Sequence, residues 1–132
     1  SEEISGAIRE YREKKLISNA WFIKNLNHEF FFYILNNTKC LVGNTSSAIR
    51  EGSYLGVPSI SVGTRQNGRE RSKNVINSKP NANEIYKKII KQMKMSKKSF
   101  KSKMYGDGFA SRRIVKILEN VDVKIQKKLL YR

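Results

Sequence analysis

The densest chemistry in this sequence lies in Gly63-Thr64-Arg65-Gln66-Asn67-Gly68-Arg69-Glu70-Arg71. Three arginines fall within seven positions, separated by glycine and by side-chain amides. A guanidinium is a flat fork of donors that meets phosphate or carboxylate oxygens two at a time. The stretch therefore suits anion recognition, although a plain basic surface loop would also tolerate these residues. A second stretch, Gly43-Asn44-Thr45-Ser46-Ser47, is small and hydroxylated. It allows close backbone approach, and if it opens a helix, the first N–H groups have no internal partner. Phosphate can take those donors; ordinary capping by Ser or Thr is the competing use. Glu51 follows within two turns, where a carboxylate can accept both hydroxyls of a ribose or pair with Arg50 or Arg9.

These loops need elements to carry them. Ile4, Ala7, Ile8 and Tyr11 recur at helical spacing from Ser1 to about Lys15. Ala20 to Ile23 suits a short buried strand, and His28 to Asn37 a helix apolar on more than one face, hence buried. Cys40, Leu41 and Val42 predict a strand running into the hydroxylated loop. A helix is expected from Ser46 to Leu55, stopped by Gly56 with Pro58 beyond. Pro58 to Val62 predicts another strand, Gly63 to Lys73 a loop, and Val75-Ile76 a very short strand. Asn83 is expected to cap a helix with Ile85, Ile89 and Met93 inward. Met95 to Met104 reads as loosely held. Asp107 is expected to cap a last helix with Ala110, Ile114, Ile117 and Leu118 inward. Alternating helices and short apolar strands predict an α/β fold with a Rossmann-like parallel sheet and flanking helices. In such sheets ligands sit beyond the carboxyl ends of the strands, which is where both loops fall.

Composition narrows the classes. The chain has 132 residues and a formal charge of +16. The charge is uneven: residues 1–70 hold nine Lys/Arg against seven Asp/Glu, and residues 71–132 hold eighteen against four. A nucleic-acid or anionic-surface binder is one reading of that excess; helices with lysine on their solvent face are the other. The longest apolar run, Phe30 to Leu35, is far short of the ~20 residues of a membrane span. The polar, acidic start does not read as a secretory leader. One cysteine, Cys40, excludes an internal disulfide and a cysteine zinc cluster. It reads as a core residue, and His28, the single histidine, as a surface residue. Phe30-Phe31-Phe32 reads as core, with one ring open to facing a base. A cytoplasmic chain without metal or cofactor is expected, with no membrane partner.

Three separated motifs, Val42-Gly43-Asn44-Thr45-Ser46-Ser47-Ala48-Ile49-Arg50-Glu51, Gly63 to Glu70, and Tyr105-Gly106-Asp107-Gly108, stand in one order. In that order and spacing they resemble the C-terminal half of UDP-N-acetylglucosamine 2-epimerases, most closely the hydrolysing, sialic-acid-pathway branch. The resemblance implies part of a glycosyltransferase-B-like architecture of two Rossmann-like domains. Residues 1–120 would be a partial C-terminal UDP-binding domain, and 121–132 a basic tail. Thr45, Ser46 and Ser47 would serve the diphosphate, Glu51 the ribose and Phe31 the uracil. Arg65 and Arg69 would face the phosphates or the sugar. The partner implied is UDP or UDP-N-acetylglucosamine, and a homo-oligomeric parent is compatible. The reaction implied turns UDP-N-acetylglucosamine into N-acetylmannosamine and UDP. The catalytic acids are expected in an N-terminal domain, so that the chain reads as an inactive fragment with no catalytic residue assigned. Ala48 departs from a usual Gly, Thr45 from a usual Ser, and Phe109 from a usual polar residue. A UDP-sugar glycosyltransferase domain is the alternative parent.

Overall fold

The computed structural model describes residues 2–14 and 18–122. They divide into two units, Ser1–Ile34 and Leu35–Arg132. In the first unit, helix α1 (Glu2–Glu13) forms as its spacing predicts. Its apolar residues Ile4, Ile8 and Tyr11 are nonetheless exposed. The expected strand at Ala20 to Ile23 does not form. Three or four apolar residues make a strand only against a hydrogen-bonding neighbour, and here Trp21, Phe22 and Ile23 are exposed. Helix α2 (His28–Asn37) starts with Asn27 Oδ1 accepting the Phe30 N–H at 2.8 Å. It is less buried than its composition suggests: Leu35 is interior, Phe31 and Phe32 are half-buried, and Phe30, Tyr33 and Ile34 are exposed.

The second unit is built on a three-stranded parallel sheet in the order β1 (Leu41–Gly43), β2 (Ser59–Val62), β3 (Val75–Ser78). The register aligns Gly43 with Ser61 and Ser61 with Asn77. The three strands therefore end together, and their following loops leave the same side of the sheet. Only β2 is buried on both faces; Val42 on the edge strand β1 is exposed. The crossover from β1 to β2 is not the single helix expected. A 3-10 turn (Ser46–Ala48) is followed, after a break at Ile49-Arg50, by the five-residue helix α3 (Glu51–Leu55). Gly56 ends α3 in the left-handed conformation, φ 73°, as its position predicts.

Helix α4 (Ala82–Met93) is capped by Asn81, not Asn83: Asn81 Oδ1 accepts the Glu84 N–H at 3.0 Å. Its inward face also differs. Met93 is exposed, whereas Gln92 is buried, because the interior it meets is polar. The apolar core is Leu35, Ala48, Ile49, Val57, Ile60, Val75 and Phe100; Ser53, Ser59, Ser61, Gln66, Asn74, Ser78 and Gln92 are buried beside it. Seven polar residues against seven apolar ones mean that hydrogen bonding organises this interior as much as packing does. Phe100 lies in a 3-10 turn (Lys97–Phe100) and anchors a segment that reads as loose in sequence. Helix α5 (Ala110–Asn120) has no capping side chain at Phe109, and Asp107 instead binds Arg113. Ala110, Ile114, Ile117 and Leu118 are exposed, so the expected inner face is uncovered among the described residues. The basic tail lies outside the described residues beyond Asp122.

Candidate functional site

Gly43 to Ser47 leaves β1 and Gly63 to Asn74 leaves β2, so the two loops of interest stand side by side at the carboxyl end of the sheet. Thr45 adopts extended backbone, φ −78° and ψ 146°, and its Oγ1 accepts the Ser47 N–H at 3.2 Å. That is the ordinary capping use of the residue. A hydroxyl has one donor besides its acceptor lone pairs, so Thr45 keeps its O–H for a further partner. The Ser46 carbonyl accepts the N–H groups of Ile49 and Arg50, both at 3.0 Å. With only three residues in the turn, no sustained helix dipole stands behind the loop. An anion there would rely on local hydroxyls, N–H groups and nearby arginines.

The Gly63 loop is held at several points. The Gly63 N–H donates to Ser78 O at 2.9 Å, and a turn is closed by Asn67 N–H to Thr64 O at 2.9 Å. Gln66, 4% exposed among exposed neighbours, donates from Nε2 to the Asn44 carbonyl at 2.7 Å. Arg71 donates to the Gln66 main-chain carbonyl and to Asn77 Oδ1. The Tyr105 hydroxyl donates to the Glu70 carbonyl at 2.6 Å, tying the third sequence motif to the second. Of the three arginines, Arg71 is therefore spent on the loop itself, contrary to a shared anion role. Arg65 and Arg69 are exposed, with no hydrogen bond or ion pair among the described residues. Gln66 is absent from the sequence-based site, since nothing in a polar loop marks which amide turns inward.

Three buried side-chain atoms have no hydrogen-bond partner among the described residues: Glu51 Oε2, Ser61 Oγ and Gln66 Oε1. Glu51 opens α3, Ser61 pairs in register with Gly43, and Gln66 binds Asn44. A buried polar atom without a partner costs about 1–3 kcal/mol, so such atoms mark places where another group is wanted. Glu51 makes neither of the ion pairs its sequence context offers. Phe31 lies on α2 in the first unit, edge-on to Phe32 with ring centroids 6.2 Å apart.

Beside Gly63, a cleft of about 350 Å³ is lined by Thr64, Asn67, Asn77, Ser78, Glu84 and Lys88. Its carboxylate is already satisfied. Glu84 binds the Lys88 ammonium, the Lys79 N–H and the Ser78 hydroxyl, and the Lys88 bond chiefly holds its pKa below the ordinary value. The unsatisfied groups point to the loop pair instead.

Comparison with known proteins decides the family. The model of the family described as UDP-N-acetylglucosamine 2-epimerase matches residues 2–119. The chain belongs to that family. A UDP-N-acetylglucosamine 2-epimerase of Neisseria meningitidis serogroup B is 33% identical over 97 residues, covering 74% of this chain and 25% of the relative. A UDP-N,N'-diacetylbacillosamine 2-epimerase (hydrolyzing) of Legionella pneumophila is 34% identical over 104 residues, 79% of this chain and 27% of the relative. A GDP/UDP-N,N'-diacetylbacillosamine 2-epimerase (hydrolyzing) of Campylobacter jejuni is 37% identical over 57 residues, 43% of this chain and 15% of the relative. This epimerase-family chain thus spans about a quarter of the length of the first two relatives. No helix among its described residues is long and apolar enough to cross a membrane.

Proposed function

We propose that this chain is the UDP-binding part of a UDP-N-acetylglucosamine 2-epimerase of the hydrolysing kind. Residues 1–120 form that part, and 121–132 a basic extension. Thr45, Ser46 and Ser47 serve the diphosphate, and Glu51 the ribose hydroxyls. Arg65 and Arg69 meet the phosphates or the sugar. The observation that carries this reading is Glu51 Oε2, buried without a partner among the described residues at the start of α3, in the crossover that follows β1. Ribose hydroxyls are donors, and supply what that oxygen lacks.

In the whole enzyme, the sugar loses its C2 proton while the C1–O bond to UDP breaks and its electron pair leaves with UDP. The product is 2-acetamidoglucal. Water then adds across the C1–C2 double bond and gives N-acetylmannosamine. Negative charge grows on the departing diphosphate, so arginines fixed beside it stabilise the transition state more than the bound substrate. The groups that move protons are assigned to the remaining length of the relatives, and none to this chain. A cytoplasmic location and a homo-oligomeric parent belong to the same proposal.

The hydrolysing branch is tested in a chain of the relatives' full length. With UDP-N-acetylglucosamine in ¹⁸O-labelled water, free N-acetylmannosamine carrying the label is expected beside UDP. Formation of unlabelled UDP-N-acetylmannosamine instead would exclude that branch.

A further inference from the structure

We propose that Gln66 is a positioning residue that sets the Gly43 to Ser47 loop for a diphosphate, a role that rests on the UDP-binding reading above. Its amide is held one way round. Nε2 reaches the Asn44 carbonyl at 2.7 Å, across 22 positions of sequence, and Oε1 is buried on the other side. The main chain carrying that amide is itself fixed, because Arg71 bridges the Gln66 carbonyl and Asn77 Oδ1. Asn77 stands in register with Ser61, and Ser61 with Gly43.

A continuous chain of bonds therefore runs from the end of β3, through the arginine-bearing loop, to the residue just before Thr45. Asn44 itself is exposed and lies between the φ 155° backbone of Gly43 and the extended Thr45. Gln66 gives this peptide's carbonyl a fixed donor. The same bond sets how far Arg65 and Arg69, which flank Gln66 in sequence, stand from Thr45 to Ser47. The division of labour among the loop's polar residues follows. Arg65 and Arg69 are turned outward for an anion, whereas Gln66 and Arg71 hold the frame.

The test uses Gln66→Met, which keeps the side chain's length and removes its donor. Without ligand, the backbone amide signals of Thr45, Ser46 and Ser47 are expected to shift from their wild-type positions; unchanged signals would overturn the coupling. In titrations, UDP is expected to bind about tenfold more weakly, the effect of one lost aligning hydrogen bond. Uridine, which lacks the phosphates, is expected to bind as in wild type. Equal losses for UDP and uridine, or none for either, would overturn a diphosphate-positioning role. A wild-type chain that binds no UDP would defeat the UDP reading and this role together, while the ligand-free shifts would still report on the loop coupling. If Gln66→Met fails to fold, Gln66→Glu removes the same donor and decides by the same comparisons.

Discussion

Asn74 and Gln92 meet in the interior, where Gln92 Nε2 donates to the Asn74 main-chain carbonyl at 3.0 Å and to the Ser59 carbonyl at 3.1 Å. Asn74 in turn donates from Nδ2 to the carbonyls of Ala48 and Val57, both at 2.9 Å. Two buried amides thereby connect α4, the strands β2 and β3, and the crossover that carries the candidate site. The sheet ends are held in place by polar groups as well as by the small apolar core.

Asn74→Ala removes both donors: the Ala48 carbonyl is left inside without its partner, while the Val57 carbonyl keeps the Ser59 hydroxyl at 2.9 Å. The expected loss is about 1–3 kcal/mol, the cost of the one group left unpaired. Urea denaturation checks it. A loss below ~0.5 kcal/mol would mean that the network contributes little.

Gly56→Ala is expected to be more harmful than an ordinary surface change. The residue sits at φ 73°, and an added Cβ would lie 2.2 Å from the Lys97 carbonyl oxygen. The left-handed conformation alone costs a non-glycine residue about 1–2 kcal/mol, and the clash adds displacement of the turn holding Phe100. Denaturation midpoints measured beside Gly6→Ala, where a Cβ meets nothing within 4 Å, should separate the two. Equal midpoints would contradict the argument.

Much of the second unit is legible in sequence, for a reason visible at β2. Short apolar strands followed by glycine at Gly43 and Gly63 are the usual punctuation of a parallel sheet, and the loops after them follow from it. The misreadings share another cause. Ala20 to Ile23, Ile114 and Leu118 have the composition of buried elements, but composition does not supply the surface that would cover them. Conversely, Gln66, Asn74 and Gln92 read as solvent residues, because a buried amide is recognised only by partners far away in sequence. In the loops, Arg65 and Arg69 are exposed and Glu51 carries a buried oxygen, while Arg71 is taken by Asn77 and the Gln66 carbonyl.

Asp107 links its loop to α5 through Arg113, at 2.9 Å for both carboxylate oxygens. The Arg113 bond, followed by the Phe109 N–H, holds its pKa well below the ordinary carboxylate value. A depressed folded-state pKa contributes stability fully above the unfolded value of about 3.9. That contribution shrinks as pH falls from there toward the folded value. Asp107→Asn is therefore expected to be less stable than wild type at pH 7, with the gap narrowing below about pH 4. A gap independent of pH would remove the ion pair as its cause.

Glu51→Ala should weaken UDP while affecting 2'-deoxy-UDP less, because only the ribose offers both hydroxyls. A loss of about tenfold or more for UDP is expected from a charged acceptor. Equal losses for the two nucleotides, read by titration calorimetry, would take Glu51 off the ribose.

The central claim, that these loops bind UDP, is tested most directly by thermal unfolding of the folded chain with and without UDP. Binding to the folded state alone adds about 2.7 kcal/mol at a ligand concentration a hundredfold above Kd, a rise of several degrees for a domain of this size. The account predicts a concentration-dependent rise in Tm at millimolar UDP, reduced in Arg69→Ala. An unchanged Tm at millimolar UDP would contradict it.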